Sequence, residues 1–319
     1  MIELNETYKS SLKNITFIDL FCGIGGFRLA LESFGAQCLF SIDNNKQAVN
    51  TYDINFNANS FGDITTLNEA EIPKHDILCA GFPCQAFSIS GKQKGFDDNR
   101  GNLFFEIMRF ADDIGPEIIF LENVANLTEH DNGRTFNIIH NELSSRDYFI
   151  RYLVADACDY GIPQHRTRTY ILAFRDYEQC QNYRFPEKVK LTKHIFDVID
   201  KSAKVDSSFY LSPNTPKYSK MDKAITDNNQ VYRFSDYGIQ AAKDGISFTL
   251  KANMGTWYDR EPVIRDNYGI RKLTPYECLA LMGFPKDFKF GDIPMKSAYK
   301  QAGNSVCVPI VFKIAQRIE

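Results

Sequence analysis

Three short runs, ITFIDLF, HDILCA and EIIFLE, are apolar almost without interruption, and stretches with helical spacing lie between them. A strand with one wet face alternates apolar and polar residues, whereas a continuously apolar one must be covered on both sides. Such strands, separated by helices, build a parallel sheet with crossover connections. The expected fold is therefore α/β, a doubly wound and mostly parallel sheet. Its strands are expected at residues 16–21, 37–42, 76–80, 117–121, 148–155 and 169–173, and its helices at 25–34, 45–56 and 103–114. With 319 residues, 44% of them hydrophobic, the chain can bury a large core.

The pattern changes after residue 185. Residues 186–265 are richer in Lys, Ser, Asn, Asp and Tyr and lose the alternation, which predicts a separate lobe of irregular strands and loops. Order returns at 273–283, where Thr274, Pro275 and Glu277 offer an N-cap, a first-turn proline and a capping-box acid, and Gly283 a stop. Val306, Ile310, Val311, Ile314 and Ile318 then mark one face of a last helix. The division expected from this is 1–185 plus 286–319 for one domain and 186–285 for a second domain and hinge.

Charge and cysteine usage exclude more than they identify. The first fourteen residues hold no apolar run, and no apolar stretch approaches a membrane span, so a soluble, cytoplasmic chain with no membrane partner is expected. A net charge of −3 does not mark a nucleic-acid binder, although residues 184–223 carry nine Lys/Arg against five Asp/Glu. Eight cysteines contain no C-x-x-C pair, and five histidines assemble no metal-ligand cluster by local spacing. Reduced, mostly buried thiols and no metal are the expectation.

The chemistry concentrates where strands end. The loop Asp19-Leu20-Phe21-Cys22-Gly23-Ile24-Gly25-Gly26-Phe27 lies between a strand and a helix, where glycines allow a tight turn and close approach of a ligand. Its glycines do not match the G-x-G-x-x-G dinucleotide spacing. Asp43 ends the second strand, where it can accept from ribose hydroxyls, and Asp63 follows Gly62, where it can bind an adenine amino group. Each alone is an ordinary loop carboxylate; three successive strand ends with polar groups facing one crevice suit a nucleoside ligand. Cys84 stands in Gly81-Phe82-Pro83-Cys84-Gln85, directly beyond a strand, which separates it from core cysteines such as Cys79. Residues 88–101, SISGKQKGFDDNRG, read as a surface loop or a lid able to close on a polyanion. Glu122 follows the next strand, and Arg166 and Arg168, at i and i+2, would share one face if the following strand includes them. Such arginines are surface ion-pair partners or supports for a phosphate, carboxylate or base carbonyl.

Taken in order from Asp19 to Val306, these segments resemble the bacterial cytosine-C5 DNA methyltransferases, most closely the small single-specificity enzymes of type II restriction-modification. The resemblance rests on DLFCGIGGF, the acid Asp43, GDI, GFPCQAFS, the Gly-Asn and Leu-Phe pairs of 101–104, ENV, Gln164-x-Arg166-x-Arg168, RKLTPYECLALMGFP and QAGNSV. It implies the S-adenosylmethionine-dependent methyltransferase sheet with a smaller target-recognition lobe between Arg168 and Arg271. Phe21, Gly23, Gly25, Asp43, Asn44, Asp63, Ile64, Phe82 and Asn304 would surround S-adenosylmethionine. Cys84 would be the nucleophile, Glu122 the acid at cytosine N3, and Arg166 and Arg168 supports of the base and phosphates. Ser90, Lys92, Arg100, Arg233 and Thr249 would touch DNA, with Tyr232, Trp257, Tyr258 and Arg260 as further candidates. Asp43 departs from the usual Glu, and Asn44 from a bulky neighbour. The resemblance also implies double-stranded DNA as partner, a monomer, and a cognate restriction endonuclease.

The groups suit that reaction. Cytosine C5 is a poor nucleophile until a thiolate adds at C6, and an acid at N3 stabilises the charge developing on the ring. The stacked base must be flipped out, at a few kcal/mol. Three other readings compete. A tRNA cytosine-C5 methyltransferase would carry a shorter insertion than 186–265, a DNA binder without catalysis would have lost Cys84, Glu122 or the arginines, and a nicotinamide oxidoreductase conflicts with the glycine spacing.

Overall fold

A computed structural model describes residues 12–82, 103–215, 218–235, 238–255 and 262–318. It contains two compact units, one of 12–155, 167–187 and 310–318 and another of 156–166 and 188–309.

The first unit is built on a six-stranded sheet. Strands β1 (Thr16–Leu20), β2 (Gln37–Ile42), β3 (Ile77–Ala80), β4 (Ile118–Val124), β5 (Phe149–Asp156) and β6 (Thr167–Phe174) lie in the order β2-β1-β3-β4-β6-β5. Strand β1 pairs in parallel with β2 and β3, and β3 with β4, while β6 runs antiparallel to β4. The expected doubly wound, mostly parallel architecture is what the chain forms. Helices α1 (Gly26–Glu32), α2 (Lys46–Phe56), α3 (Leu103–Ile114) and α4 (Arg134–Ser144) connect the strands. Against one face, Ile18, Leu20, Leu78, Ile119 and Leu121 pack with Phe104, Ile107 and Met108 of α3 and Ile139 and Leu143 of α4. On the other, Phe27 of α1 meets Phe120 edge to face, and Phe34 stacks on Phe312 at 4.3 Å. Both faces are thus covered, which explains the unbroken apolar runs.

Local chemistry sets the boundaries. Asn45 caps α2 by accepting from the backbone N–H groups of Gln47 and Ala48. Gly25 precedes α1 at φ +86°, and a Cβ there would stand 2.2 Å from Phe56 Cε2. Strand β4 extends to Val124, so Glu122 and Asn123 lie within the strand, where the sequence pattern placed them just beyond it.

The second unit contains a four-stranded antiparallel sheet, β10-β9-β7-β8, from β7 (Tyr232–Ser235), β8 (Gly238–Ala241), β9 (Pro262–Asp266) and β10 (Gly269–Lys272). The lobe expected to be irregular is ordered around Leu211, Met221, Ile225, Tyr232, Phe234, Val263 and Ile270. Helix α5 (Pro275–Leu281) has the capping box read from Thr274 and Glu277. Residues 286–309 and 156–166 also belong to this unit, which therefore extends beyond the 186–285 span expected for it. Among the described residues no helix is long and apolar enough to cross a membrane.

Arg271 ties this unit together. Its fully buried guanidinium donates to Asp266 Oδ2 at 2.7 Å and to both Glu277 oxygens at 2.8 Å. Glu277 in turn accepts from the Thr274 N–H, so one charge network joins β9, β10 and α5. Removing one partner strands buried charge. Arg271→Ala is expected to lower the stability of the chain by about 3–5 kcal/mol, read from urea denaturation; a loss under about 1 kcal/mol would show the network to be dispensable.

Candidate active site

The sheet order reverses beside β1, with β2 on one side and β3 on the other, and ligands of open α/β sheets bind in the crevice outside the strand ends at such a point. Phe21 leaves β1 at φ +55°, a left-handed conformation rare for a bulky residue, and Gly23 follows at φ +54°. Gly23 donates its N–H to Asp43 Oδ2 at 3.0 Å, and Asn45 donates to Oδ1 at 2.8 Å. Two backbone donors thus hold the carboxylate at the end of β2. Burial pushes its pKa up, opposed by those two N–H bonds.

This loop fits a nucleoside cofactor. Among the described residues, a Cβ on Gly23 would meet only the Phe21 carbonyl, at 4.0 Å, which leaves the backbone open to a ligand. Asp43 retains lone pairs for hydroxyl donors, since these two bonds occupy one site on each oxygen. Asp63 is exposed, its Oδ1 accepting from the Thr65 N–H and hydroxyl, and Asn44 is exposed beside Asp43. Gly25, Ile64 and Phe82 stand differently. Gly25 is required by packing against Phe56, while Ile64 and Phe82 are buried in the sheet core, the Phe82 ring beside Phe104 at 5.8 Å. Their side chains shape the floor and do not present polar groups. Asn304 is exposed at the end of α6 (Met295–Asn304) in the second unit.

At the end of β4, Glu122 is 9% exposed and its Oε1 lies 3.2 Å from Arg168 Nε. The register sets Arg168 opposite Val124 and Tyr170 opposite Glu122, so the arginine reaches the carboxylate diagonally. Beside it, Asn123 Nδ2 donates to the Phe82 carbonyl at 3.3 Å, fixing the start of the segment that carries Cys84. Asn123 was missed as a site residue; its signal is the ENV block. Cys84, Ser90, Lys92 and Arg100, and Trp257, Tyr258 and Arg260, lie outside the described residues.

Arg166 is not a strand partner of Arg168, because β6 begins at Thr167. Its guanidinium is 2% exposed and donates to the carbonyls of Leu250, Gly303 and Ser305 in the second unit, at 3.2, 3.2 and 2.7 Å. A guanidinium spent on carbonyls positions backbone, in contrast to the phosphate or base support expected of it. Gln164 does likewise, donating to Leu281 O and accepting from Leu250 N–H. Thr249 gives its hydroxyl to the His165 carbonyl. Arg233 is exposed, held by Gln240 Oε1 at 2.7 and 2.9 Å and lying over Phe248. Tyr232 is buried in its own lobe, with its hydroxyl near the Asp227 backbone, so it offers no base-reading edge.

The fold is a mostly parallel α/β sheet whose strand-end crevice suits a nucleoside ligand. The chain belongs to the C-5 cytosine-specific DNA methylase family, which matches residues 15–319. It is 42% identical to the Type II methyltransferase M.HhaI of Haemophilus parahaemolyticus, covering 100% of this chain and 97% of that protein. It is 41% identical to M.Bsp6I of Bacillus sp. (strain RFL6), covering 94% and 96%. In fold it is similar to the Entamoeba histolytica methyltransferase EhMeth, at TM-score 0.75 and 21% identity over 95% of this chain and 97% of that one. A Spodoptera frugiperda DNMT2 mutant gives TM-score 0.73 at 21% identity, covering 94% and 99%. The activity is methyl transfer from S-adenosylmethionine to cytosine C5 in DNA, which sets the nicotinamide reading aside.

Asp19 on β1 is the buried charge the sequence reading did not single out. It is 1% exposed, and its register neighbours are Ser41 and Cys79. Burial holds its carboxyl well above the ordinary range, with Arg28 opposing and Asp43 and Glu32 adding. Burial also raises the thiols of Cys22, Cys38 and Cys79, that of Cys38 to about 12, which makes them poor nucleophiles. Because native Asp19 holds its proton more tightly than the unfolded chain does, its contribution is greatest below about pH 4 and is lost as pH rises through the native value. Asp19→Asn lacks this dependence. Its stability relative to wild type should rise by about 1.4 kcal/mol per pH unit above about pH 4, up to the native titration point. Urea denaturation at a series of pH values reads this, and a pH-independent difference would contradict it.

Proposed function

We propose that Cys84, Glu122 and Arg168 carry the reaction and that Phe21, Gly23, Asp43, Asn44 and Asp63 hold the cofactor. The supporting observation is the buried Glu122–Arg168 pair beside Asn123, whose amide holds the Phe82 carbonyl two residues before Cys84. The Cys84 thiolate adds to cytosine C6, and C5 becomes an enamine carbon. Glu122 shares its proton with N3 as this charge develops, and Arg168 keeps the carboxyl oriented. S-adenosylmethionine, when bound, supplies a sulfonium methyl group electrophilic enough for the enriched C5. Loss of the C5 proton expels the Cys84 thiolate and restores the aromatic ring. Asp43 accepts from the ribose hydroxyls; one methylene shorter than Glu, it is braced by Gly23 and Asn45. Arg166 serves as a positioning residue for 249–250 and 303–305.

The second unit, with 186–285 at its centre, reads the recognition sequence, and Ser90, Lys92 and Arg100 contact the DNA from which the base is flipped. Arg233, held in place by Gln240 and Phe248, is the side chain offered to DNA, and Thr249 braces the backbone beside it. One chain supplies every group named, so a monomer suffices. The type II names of its relatives support a cytoplasmic enzyme that protects host DNA from a cognate restriction endonuclease.

Cys84→Ala is expected to abolish tritiated-methyl incorporation while specific DNA binding persists, and 5-fluorocytosine at the target should trap a covalent adduct with the wild-type chain. Normal incorporation by the variant, or no adduct under active conditions, would remove Cys84 from this scheme. Asp43→Ala should weaken S-adenosylmethionine binding by roughly tenfold or more in titration calorimetry, given about 1.5–3 kcal/mol for hydrogen bonds to a charged group. Unchanged affinity would count against its ribose contact. Bisulfite sequencing of DNA from expressing cells gives the site and the modified cytosine together.

A further inference from the structure

Local spacing hides a second constellation, because its members are separated along the chain and meet only where the chain closes a turn. Asp156 ends β5, Cys158 sits in the short helical turn Ala157–Tyr160, and His165 precedes β6. His165 Nδ1 lies 3.0 Å from Asp156 Oδ2 and 3.6 Å from Cys158 Sγ, and one donor atom from each residue falls within 4.8 Å of the others. We propose that Asp156, Cys158 and His165 form a binding site for a thiophilic divalent cation of the zinc class, with a fourth position left to solvent.

The separations suit it. With Zn–N of about 2.0 Å, Zn–S of about 2.3 Å and Zn–O of about 2.0 Å, tetrahedral bonding puts nitrogen about 3.5 Å from sulfur and about 3.3 Å from oxygen. The two separations from His165 Nδ1 already match these edges to within about 0.3 Å, and the Asp156 and Cys158 donors lie within 4.8 Å of each other. The chemistry agrees as well: a thiolate, a carboxylate and a neutral imidazole form a mixed donor set that balances a 2+ ion. The surrounding bonds orient each ligand in the way outer partners do at metal centres. Arg166 N–H donates to Asp156 Oδ1 at 2.7 Å, leaving Oδ2 for the ion. The Ala157 N–H donates to the Arg166 carbonyl, and His165 is pinned by its N–H to Ser247 O and by the Thr249 hydroxyl to its carbonyl. Neighbouring Asp159 is taken by Lys188 at 2.7 Å, while the His165 side chain is 52% exposed and gives an ion access. Burial, and then Asp156 and Asp159, push the Cys158 thiol up to about 11, so an ion displaces a proton on binding. The site lies within one compact unit and does not depend on the roles proposed for Cys84 or Glu122.

Full-length protein stripped by a chelator and titrated with Co²⁺ should develop a thiolate-to-cobalt charge-transfer band, bleached by added Zn²⁺. Cys158→Ser should lose the band, and His165→Gln should weaken binding by roughly tenfold or more. On the wild-type chain, Zn²⁺ should slow N-ethylmaleimide alkylation of Cys158 by roughly tenfold, read by peptide mass spectrometry, which needs no variant to fold. Absence of the band, its persistence in Cys158→Ser, or alkylation of Cys158 at the same rate with and without Zn²⁺ would overturn the proposal.

Discussion

The antiparallel pairing of β4 with β6 is the constraint from which the site follows. Next to strands β1 to β4, which pair in parallel, this reversal sets residue 168 opposite 124 and residue 170 opposite 122, and the long arginine spans the diagonal to Glu122. Side chains alternate between faces, so a slip of one residue would turn Arg168 away and leave the carboxylate buried without its cation. The register is held by the core beneath it, where Ile119, Leu121, Ile171 and Ala173 share one cluster.

The loop between β1 and α1 rests on a second balance. Phe21 and Gly23 take left-handed backbone conformations, and the loop is held by the carboxylate of Asp43 from a neighbouring strand end. A residue in that region costs about 1–3 kcal/mol and persists when its surroundings determine it. Here the surroundings are the Gly23 bond to Asp43 and the packing of Phe21 on the sheet core. Beneath lies Asp19, a buried carboxyl whose pKa burial raises, beside thiols made inert by burial. Strain and a buried acid collect under the loop, as they do where ligand binding shapes a fold against its own stability.

Arg166 and Arg168 show how two residues apart in sequence can be divided by structure. One begins a buried clasp of carbonyls in the second unit, while the other belongs to the sheet and faces a carboxylate. Their spacing suggested one shared face, and that inference failed because β6 starts between them. The same short stretch holds His165, which joins Asp156 and Cys158.

Much of this could be read before any coordinates. Unbroken apolar runs demanded a sheet covered on both faces, the Thr274–Glu277 spacing marked a capped helix, and the ordered motifs placed Asp43 and Glu122 at strand ends, because these signals are local and periodic. Local order could not say which glycine serves packing: Gly25 is required by Phe56, thirty-one residues along the chain. Nor could it say that Ile64 and Phe82 face the core, that 186–265 carries strands of an antiparallel sheet, or that Arg166 is consumed by carbonyls more than eighty residues away. Amino-acid order therefore determined the sheet type and the residue classes of the chemistry. Strand register and long-range backbone pairing decided which of those residues meet, since hydrogen-bond partners distant in sequence leave no periodic trace in it.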